Sequence, residues 1–196
     1  MKLFKHLKTI RTHRRAVRKM CFKMGIPLRG ILHDLSKYSL TELKICKYWT
    51  GKGSPHQTCR ETIGYSPSWI HHYHKNKHHF QYWWDEDEDG NIIPIKMPYK
   101  YLIESFCDMI GAGRAYLKKK WTAESTWSYW MDHCKGKRIM NKESESLLEE
   151  LIWQLKKKGL NEFIKWYKTN KKHIKFIYEQ GASAIEEFRN EINLYK

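Results

Sequence analysis

The sequence predicts an all-α fold, and three observations carry that prediction. Apolar residues recur at helical spacing towards both ends of the chain. Gly, Pro and capping signatures punctuate those runs. A composition of 41% hydrophobic and 14% aromatic residues belongs to a chain with a packed core. The 196 residues suffice for one such core and not for two, so a single domain is expected.

The first helix is expected over Leu3–Met24, where Leu3, Leu7, Ile10, Val17, Cys21 and Met24 share a face. His13 or Arg14 fills the gap on that face between Ile10 and Val17. Gly25-Ile26-Pro27 stops it, since Gly can end a helix and Pro cannot continue one. A second helix is expected from about Leu28 to Trp49, with a break near Ser39, where Ser-Leu-Thr-Glu has the form of a capping box. Residues 51–68, rich in Gly, Ser and Pro, read mostly as loop. The stretch from Trp69 to Trp84 reads as helical in its first part, and residues 85–94 as an acidic turn with a short hairpin. A strong helix follows over Pro98–Lys120, Pro being suited to a first turn. Residues 121–140 read as loop, and the capping sequence from Asn141 to Glu145 opens a helix to Lys158. Helices over Leu160–Glu179 and Ala182–Leu194 close the chain. Their aromatic residues Trp153, Phe163, Trp166, Tyr167, Phe176 and Phe188 are expected in the core or in a lid.

The net charge of +16 is concentrated at one end. Residues 1–50 carry thirteen Lys and Arg against two acids, residues 51–140 thirteen against ten, and residues 141–196 eleven against nine. Such a patch attracts polyanions, whether nucleotides, nucleic acid or acidic lipid surfaces; it is equally the pattern of a solvated helix face. Cysteines at 21, 46, 59, 107 and 134 form no CxxC pair, which argues against a zinc ribbon or disulfide framework and for free thiols in a reducing compartment. The N-terminus lacks the apolar run of a signal peptide, and no stretch is long enough to span a bilayer. A cytoplasmic location is expected. Nine Trp and twelve Tyr suit pocket walls and half-buried surfaces.

The candidate chemistry lies in histidines and acids. Of eleven histidines, five fall within His71–His79. Were that segment helical throughout, His71, His74 and His78 would share one face and His72 and His79 the neighbouring one. Imidazoles on successive turns can converge on one ion, so the cluster points to metal or phosphate. His33-Asp34 follows two apolar residues, placing polar groups where they need partners. Lys37, one turn after His33, is placed to meet a bound phosphate, while the plainer reading is an Asp34–Lys37 pair at i+3. Asp108 has the most apolar setting of any acid, on a face with the small residues Ser105, Ala112 and Ala115; Glu104 competes with it. His13, taken alone, reads as a core histidine.

Taken in order, these elements resemble the HD-domain superfamily of metal-dependent phosphohydrolases. The resemblance is closer to an HD-like branch marked by HDLSK and HxHxNxHH motifs. It rests on His13, the segment from Leu28 to Tyr38, Glu42, the segment from Trp69 to His79, Met97-Pro98 and the segment from Asp108 to Arg114. It covers roughly residues 10–155, so an HD-like helical domain over residues 1–155 is expected, with residues 156–196 as a helical extension packed on it.

The resemblance implies His13, His33, Asp34 and Asp108 as the core metal ligands. It implies His72, His78 and His79 at a second metal or at the substrate phosphate, with one or two divalent ions among Mn, Fe, Zn, Co and Ni. Lys37 and Arg114 would contact phosphate, His78 would serve substrate as well as metal, and Asn76 would donate in the pocket. Asp34, Lys37 and His79 would take part in catalysis. His71 stands where this branch would have an apolar residue and is left out. The implied activity is hydrolysis of a nucleotide or other small phosphate ester by metal-activated water. The alternatives are a di-iron oxygenase on the same scaffold, a non-enzymatic nucleic-acid binder using the basic N-terminal helix, and a structural metal site. A dimer contact stays open.

Overall fold

A computed structural model describes residues 2–50 and 54–194. The chain is all-α: nine α-helices occur among the described residues, and the one sheet among them is a two-stranded hairpin. Helix α1 (Lys2–Lys23) buries Ile10, His13, Val17, Met20 and Cys21, the face that helical spacing marks from Ile10 onward, while Leu7 is half-buried and Leu3 exposed. The expected second helix is instead several short pieces. Helix α2 (Pro27–Leu32) ends where Asp34 adopts a left-handed conformation, φ 54° and ψ 28°. A 3-10 turn over Leu35–Tyr38, helix α3 (Leu40–Leu43) and a second 3-10 turn over Lys44–Tyr48 follow. Ser39 caps α3 by accepting from the Glu42 amide, half of the expected box.

Two segments read as loops are helices. In the first, Gly51-Lys52-Gly53 lies outside the described residues, but Pro55–Ile63 forms α4, with Pro in its first turn and Gly64 in the left-handed region (φ 83°) after its end. In the second, Ala123–His133 forms α7, opened by Thr122 and Ser125 in a reciprocal capping box. The turn residues that dominate each segment mark helix ends and not the whole segment.

Helix α5 (Pro67–Lys75) stops at Asn76, so His78 and His79 are not on it, and the face-sharing expected for the His cluster does not occur. Strands β1 (Trp84–Glu86) and β2 (Ile92–Pro94) pair antiparallel, Asp85 opposite Ile93, as the acidic hairpin. Helix α6 (Tyr99–Leu117) begins after Pro98. Helix α8 (Lys142–Gln180) starts on Asn141, which accepts from the Glu143 and Ser144 amides. It bends at Gly159 (φ 68°, ψ 166°), where the sequence separates two helices. Helix α9 (Ala182–Leu194) packs back on α8.

One apolar cluster runs from Val17 through Leu102, Phe106, Trp130, Leu147 and Phe163 to Phe188. Phe163, Tyr167 and Phe188 are core, Trp153 and Trp166 half-buried, and Phe176 is 59% exposed, contrary to expectation. The Tyr178 hydroxyl donates to the Met97 carbonyl at 2.5 Å, tying the end of α8 to the entrance of α6.

The contact between α1 and α6 sets the position of the site, because His13 and Asp108 flank it. It is close because Gly111 has no side chain: a Cβ there would lie 2.3 Å from Val17 Cγ2 and 3.0 Å from the Val17 amide nitrogen. Gly111→Ala is therefore expected to destabilise the protein by about 1–3 kcal/mol through overpacking. Urea unfolding measures this, and an unchanged midpoint would contradict the close contact.

Candidate metal centre

The break after α2 is what turns His33 and Asp34 inward. Adjacent residues of a helix point about 100° apart. The left-handed Asp34 removes that restriction, and both side chains are 1% exposed. Holding a non-glycine residue there costs on the order of 1 kcal/mol, and Asp is among the residues that tolerate it. Arg14 supports the turn, donating from Nε to the His33 carbonyl (2.7 Å) and from Nη2 to the Ile31 carbonyl (3.0 Å). These are carbonyls that a terminating helix leaves without partners. The Lys37 amide closes the turn on the Asp34 carbonyl.

Around Asp34 two groups of ligand-type atoms assemble. In the first, His13 Nε2 lies 3.1 Å from Asp34 Oδ2, 3.0 Å from Asp108 Oδ1 and 3.3 Å from His33 Nε2. His33 Nε2 lies 3.2 Å from Asp34 Oδ2 and 3.5 Å from Asp108 Oδ1. In the second, Asp34 Oδ1 faces His72 Nε2 at 3.3 Å and His78 Nε2 at 3.5 Å, with His79 completing the group. The two oxygens of one carboxylate thus serve different sets of imidazoles.

Hydrogen bonding alone does not explain this arrangement. One imidazole nitrogen has a single proton or a single lone pair, yet His13 Nε2 and His33 Nε2 each face three close polar atoms. Asp34 Oδ1, Asp108 Oδ1 and the Nε2 atoms of His72, His78 and His79 are buried without a hydrogen-bond partner. Ligands about 2.1 Å from an ion lie about 3.0 Å apart in an octahedron and about 3.4 Å apart in a tetrahedron, the range seen here. Two neutral-capable imidazoles with two carboxylates, beside three imidazoles and the shared carboxylate, suit a divalent transition metal. The residues fit such an ion.

The outer nitrogens fix which atoms face inward. His33 Nδ1 is 3.0 Å from Glu104 Oε1, and His72 Nδ1 is 2.8 Å from Glu42 Oε2. An ionised carboxylate has no proton to give, so each Nδ1 carries a hydrogen and each Nε2 is the atom left to face the cluster, able to coordinate there once it carries no proton. Arg29 Nε holds Glu104 at 2.6 Å, and His71 Nδ1 holds Glu42 at 3.0 Å. Burial pushes the Glu104 carboxyl up, but hydrogen bonds from His33, His78 and Arg29 bring it down to about 2.

Burial would raise the carboxyl pKa of Asp34, yet His33, Lys37 and His72 hold it well below the usual range. Asp108 is held low in the same way by His13 and His33. Burial opposes charge on His33, but Asp34, Asp108 and Glu104 raise its pKa well above normal. His78 and His79 go the other way: burial, reinforced by neighbouring imidazoles, keeps both neutral. So weak a base as His79 fits a ligand better than the catalytic role expected of it.

The structure therefore brings together His13, His33, Asp34, His72, His78, His79 and Asp108. Lys37 joins them through its ammonium on Asp34 Oδ2, so the plain i+3 pair forms within the cluster. The Lys37 side chain is 24% exposed, Asp108 21% and His13 11%, against 1% or less for His33, Asp34, His72 and His78, which defines the open side. Asn76 is adjacent, but its Nδ2 donates to Ser36 Oγ and the His72 carbonyl, so it positions His72 and has no donor left for a substrate. Arg114 is not brought to the cluster. It lies six positions beyond Asp108 on a different face of α6, its guanidinium over Trp121.

Sequence reasoning misses Glu104 and Arg29 as supports, and His56 with them. That imidazole contacts Ser66 Oγ at 2.9 Å and edges onto Trp69, whose ring meets His72 and His79. Burial lowers its pKa to about 3, so it is a neutral wall of the site. The signal for Glu104 was its place one turn before Asp108; nothing in the sequence marks His56, which sits in α4 where a loop was expected.

The chain belongs to the family of unknown function DUF5662, whose model matches residues 2–154 and so contains every residue of this cluster. No curated protein and no solved structure matches it.

Metal binding must displace the proton that the carboxylates hold on His33. Affinity is therefore expected to rise with pH and to level off above the raised His33 pKa, with proton release on binding. His78 and His79, whose imidazoles burial already keeps neutral, contribute little to this dependence near neutrality. Calorimetric titration with Zn²⁺ or Mn²⁺ at about pH 6 and about pH 8, in buffers of different ionisation enthalpy, measures both effects. Glu104→Gln should weaken binding about 10–100-fold by releasing His33. Binding independent of pH, with no proton released, would contradict the assignment.

Proposed function

We propose that this protein is a metal-dependent phosphohydrolase of the HD type, acting on a nucleotide or other small phosphate ester. The observation that carries the proposal is the placement of Asp34, each oxygen facing a separate set of imidazoles, with Lys37 beside it on the open side. The motif order of the sequence supports the same reading. Structural metal sites are closed by protein ligands on all sides, whereas catalytic ones keep an open position. The partial exposure of Asp108, His13 and Lys37 favours the second kind.

The residues of the two groups would hold a divalent cation, which would supply a Lewis acid able to acidify water and polarise a phosphoryl group. The chain's own groups do the rest. Asp34 fixes the two ligand groups relative to each other. Glu104 and Glu42 hold His33 and His72 in the tautomer and orientation that present Nε2. Lys37 is the cation placed to leave Asp34 for the equatorial oxygens of a phosphate. Walls formed by Trp69, His56 and the buried imidazoles exclude bulk water and strengthen these charges.

A second reading shares the same geometry. A carboxylate between two histidine-rich groups also suits two irons, and oxygen chemistry would then replace hydrolysis.

Protein loaded in turn with Mn²⁺, Fe²⁺, Co²⁺, Ni²⁺ and Zn²⁺ is expected to cleave phosphomonoesters or phosphodiesters, assayed with chromogenic esters and nucleotides. Asp34→Asn should abolish both metal loading and turnover. Lys37→Ala should keep the metal and lower kcat/KM by about 100-fold, the scale for losing one group that stabilises transition-state charge. Loaded protein that hydrolyses none of these esters, and with iron consumes oxygen, would replace the first reading with the second.

A further inference from the structure

The surface of α1 opposite its buried face has a composition that the metal site does not account for. At 100° per residue, Phe4, Lys8, Arg11, Arg15, Arg18 and Phe22 fall within about 40° of one line along the helix. All six are exposed, Phe4 by 77% and Phe22 by 54%. The stripe is a row of four cations closed at each end by an aromatic ring.

Helix α2 extends this surface with aliphatic groups. Its Gly30 packs against the Arg18 backbone and Cys21 Cβ, and the Ile31 carbonyl accepts from Arg14, so α2 lies along the flank of the stripe. Leu28, Ile31 and Leu32, at helical spacing, remain 64%, 48% and 43% exposed, and Leu35 just beyond is 48% exposed. Large aliphatic side chains left in water beside a row of arginines are not what solubility selects.

We propose that this face binds the surface of an anionic lipid bilayer, with α1 lying in the plane of the headgroups. Cations meet acidic headgroups while Phe4, Phe22 and the α2 leucines enter the acyl boundary, as in helices that lie on a membrane. No helix among the described residues is long and apolar enough to cross one, so the association is peripheral. Nucleic acid would use the same cations, but it offers nothing to exposed Leu28, Ile31 and Leu32. The aliphatic component is what favours lipid. This proposal stands apart from the hydrolase reading, since it rests on the outer face of α1 and not on His13.

The test is cosedimentation of the full chain with vesicles of phosphatidylcholine alone and with about 30% phosphatidylglycerol. Binding is expected to the anionic vesicles only and to weaken as salt rises. Each of Arg11→Ala, Arg15→Ala and Arg18→Ala should lower the partition coefficient about fivefold. Phe4→Ser/Phe22→Ser/Leu28→Ser should also abolish binding with every charge retained. Should that triple variant fold poorly by circular dichroism, Phe22→Ser alone serves, with a partial loss expected. Serine variants that bind as the wild type does would overturn the proposal. So would tight binding of a DNA oligonucleotide, unaffected by the serine substitutions, in protein that ignores the vesicles.

Discussion

Everything in this site depends on the burial of one ionised carboxylate. Asp34 is 1% exposed, and its two oxygens lie against four histidines and a lysine. A buried charge without compensation costs several kcal/mol, and an isolated acid in that position would take up a proton instead. The surrounding groups act in the opposite sense and hold Asp34 ionised. They do so with more imidazole nitrogens than hydrogen bonding uses, and such a group could hold a metal ion.

The fold serves this one constraint. Gly111 lets α1 approach α6, which brings His13 to Asp108. The strained turn at Asp34 ends α2 and aims two consecutive side chains into the same space. The stop at Asn76 releases the chain from α5, so His78 and His79 can curl back over His72. Glu104 and Glu42, from two different helices, then lock imidazole rings from behind. The polar core is assembled from elements far apart in sequence, and this explains why its members look unremarkable one at a time.

Much of this was legible from the residues. Helix α1, helix α6, the acidic hairpin, the cap at Asn141 and the break at Gly159 follow from spacing and capping chemistry that tertiary structure does not override. The ligand-type residues were legible because their order is specific even though no single one is. The segments around α4 and α7 were not, since Gly, Ser and Pro mark helix ends as readily as loops. Arg114 illustrates the limit of reading a motif along a line: six positions after Asp108 is the wrong side of a helix, and the neighbouring Trp121 claims its guanidinium. His71 shows the converse, because the residue set aside as out of pattern holds Glu42 in place for His72.

The central claim is that a divalent cation belongs between these side chains. Anomalous diffraction from crystals of the protein purified without added metal tests it most directly. The account predicts a peak about 2.0–2.3 Å from the Nε2 atoms of His13 and His33 and from carboxylate oxygens of Asp34 and Asp108, with room for a second peak beside His72, His78 and His79. A map with no peak there, also after soaking in Mn²⁺ or Zn²⁺, and with water or the Lys37 ammonium filling the space, would contradict it.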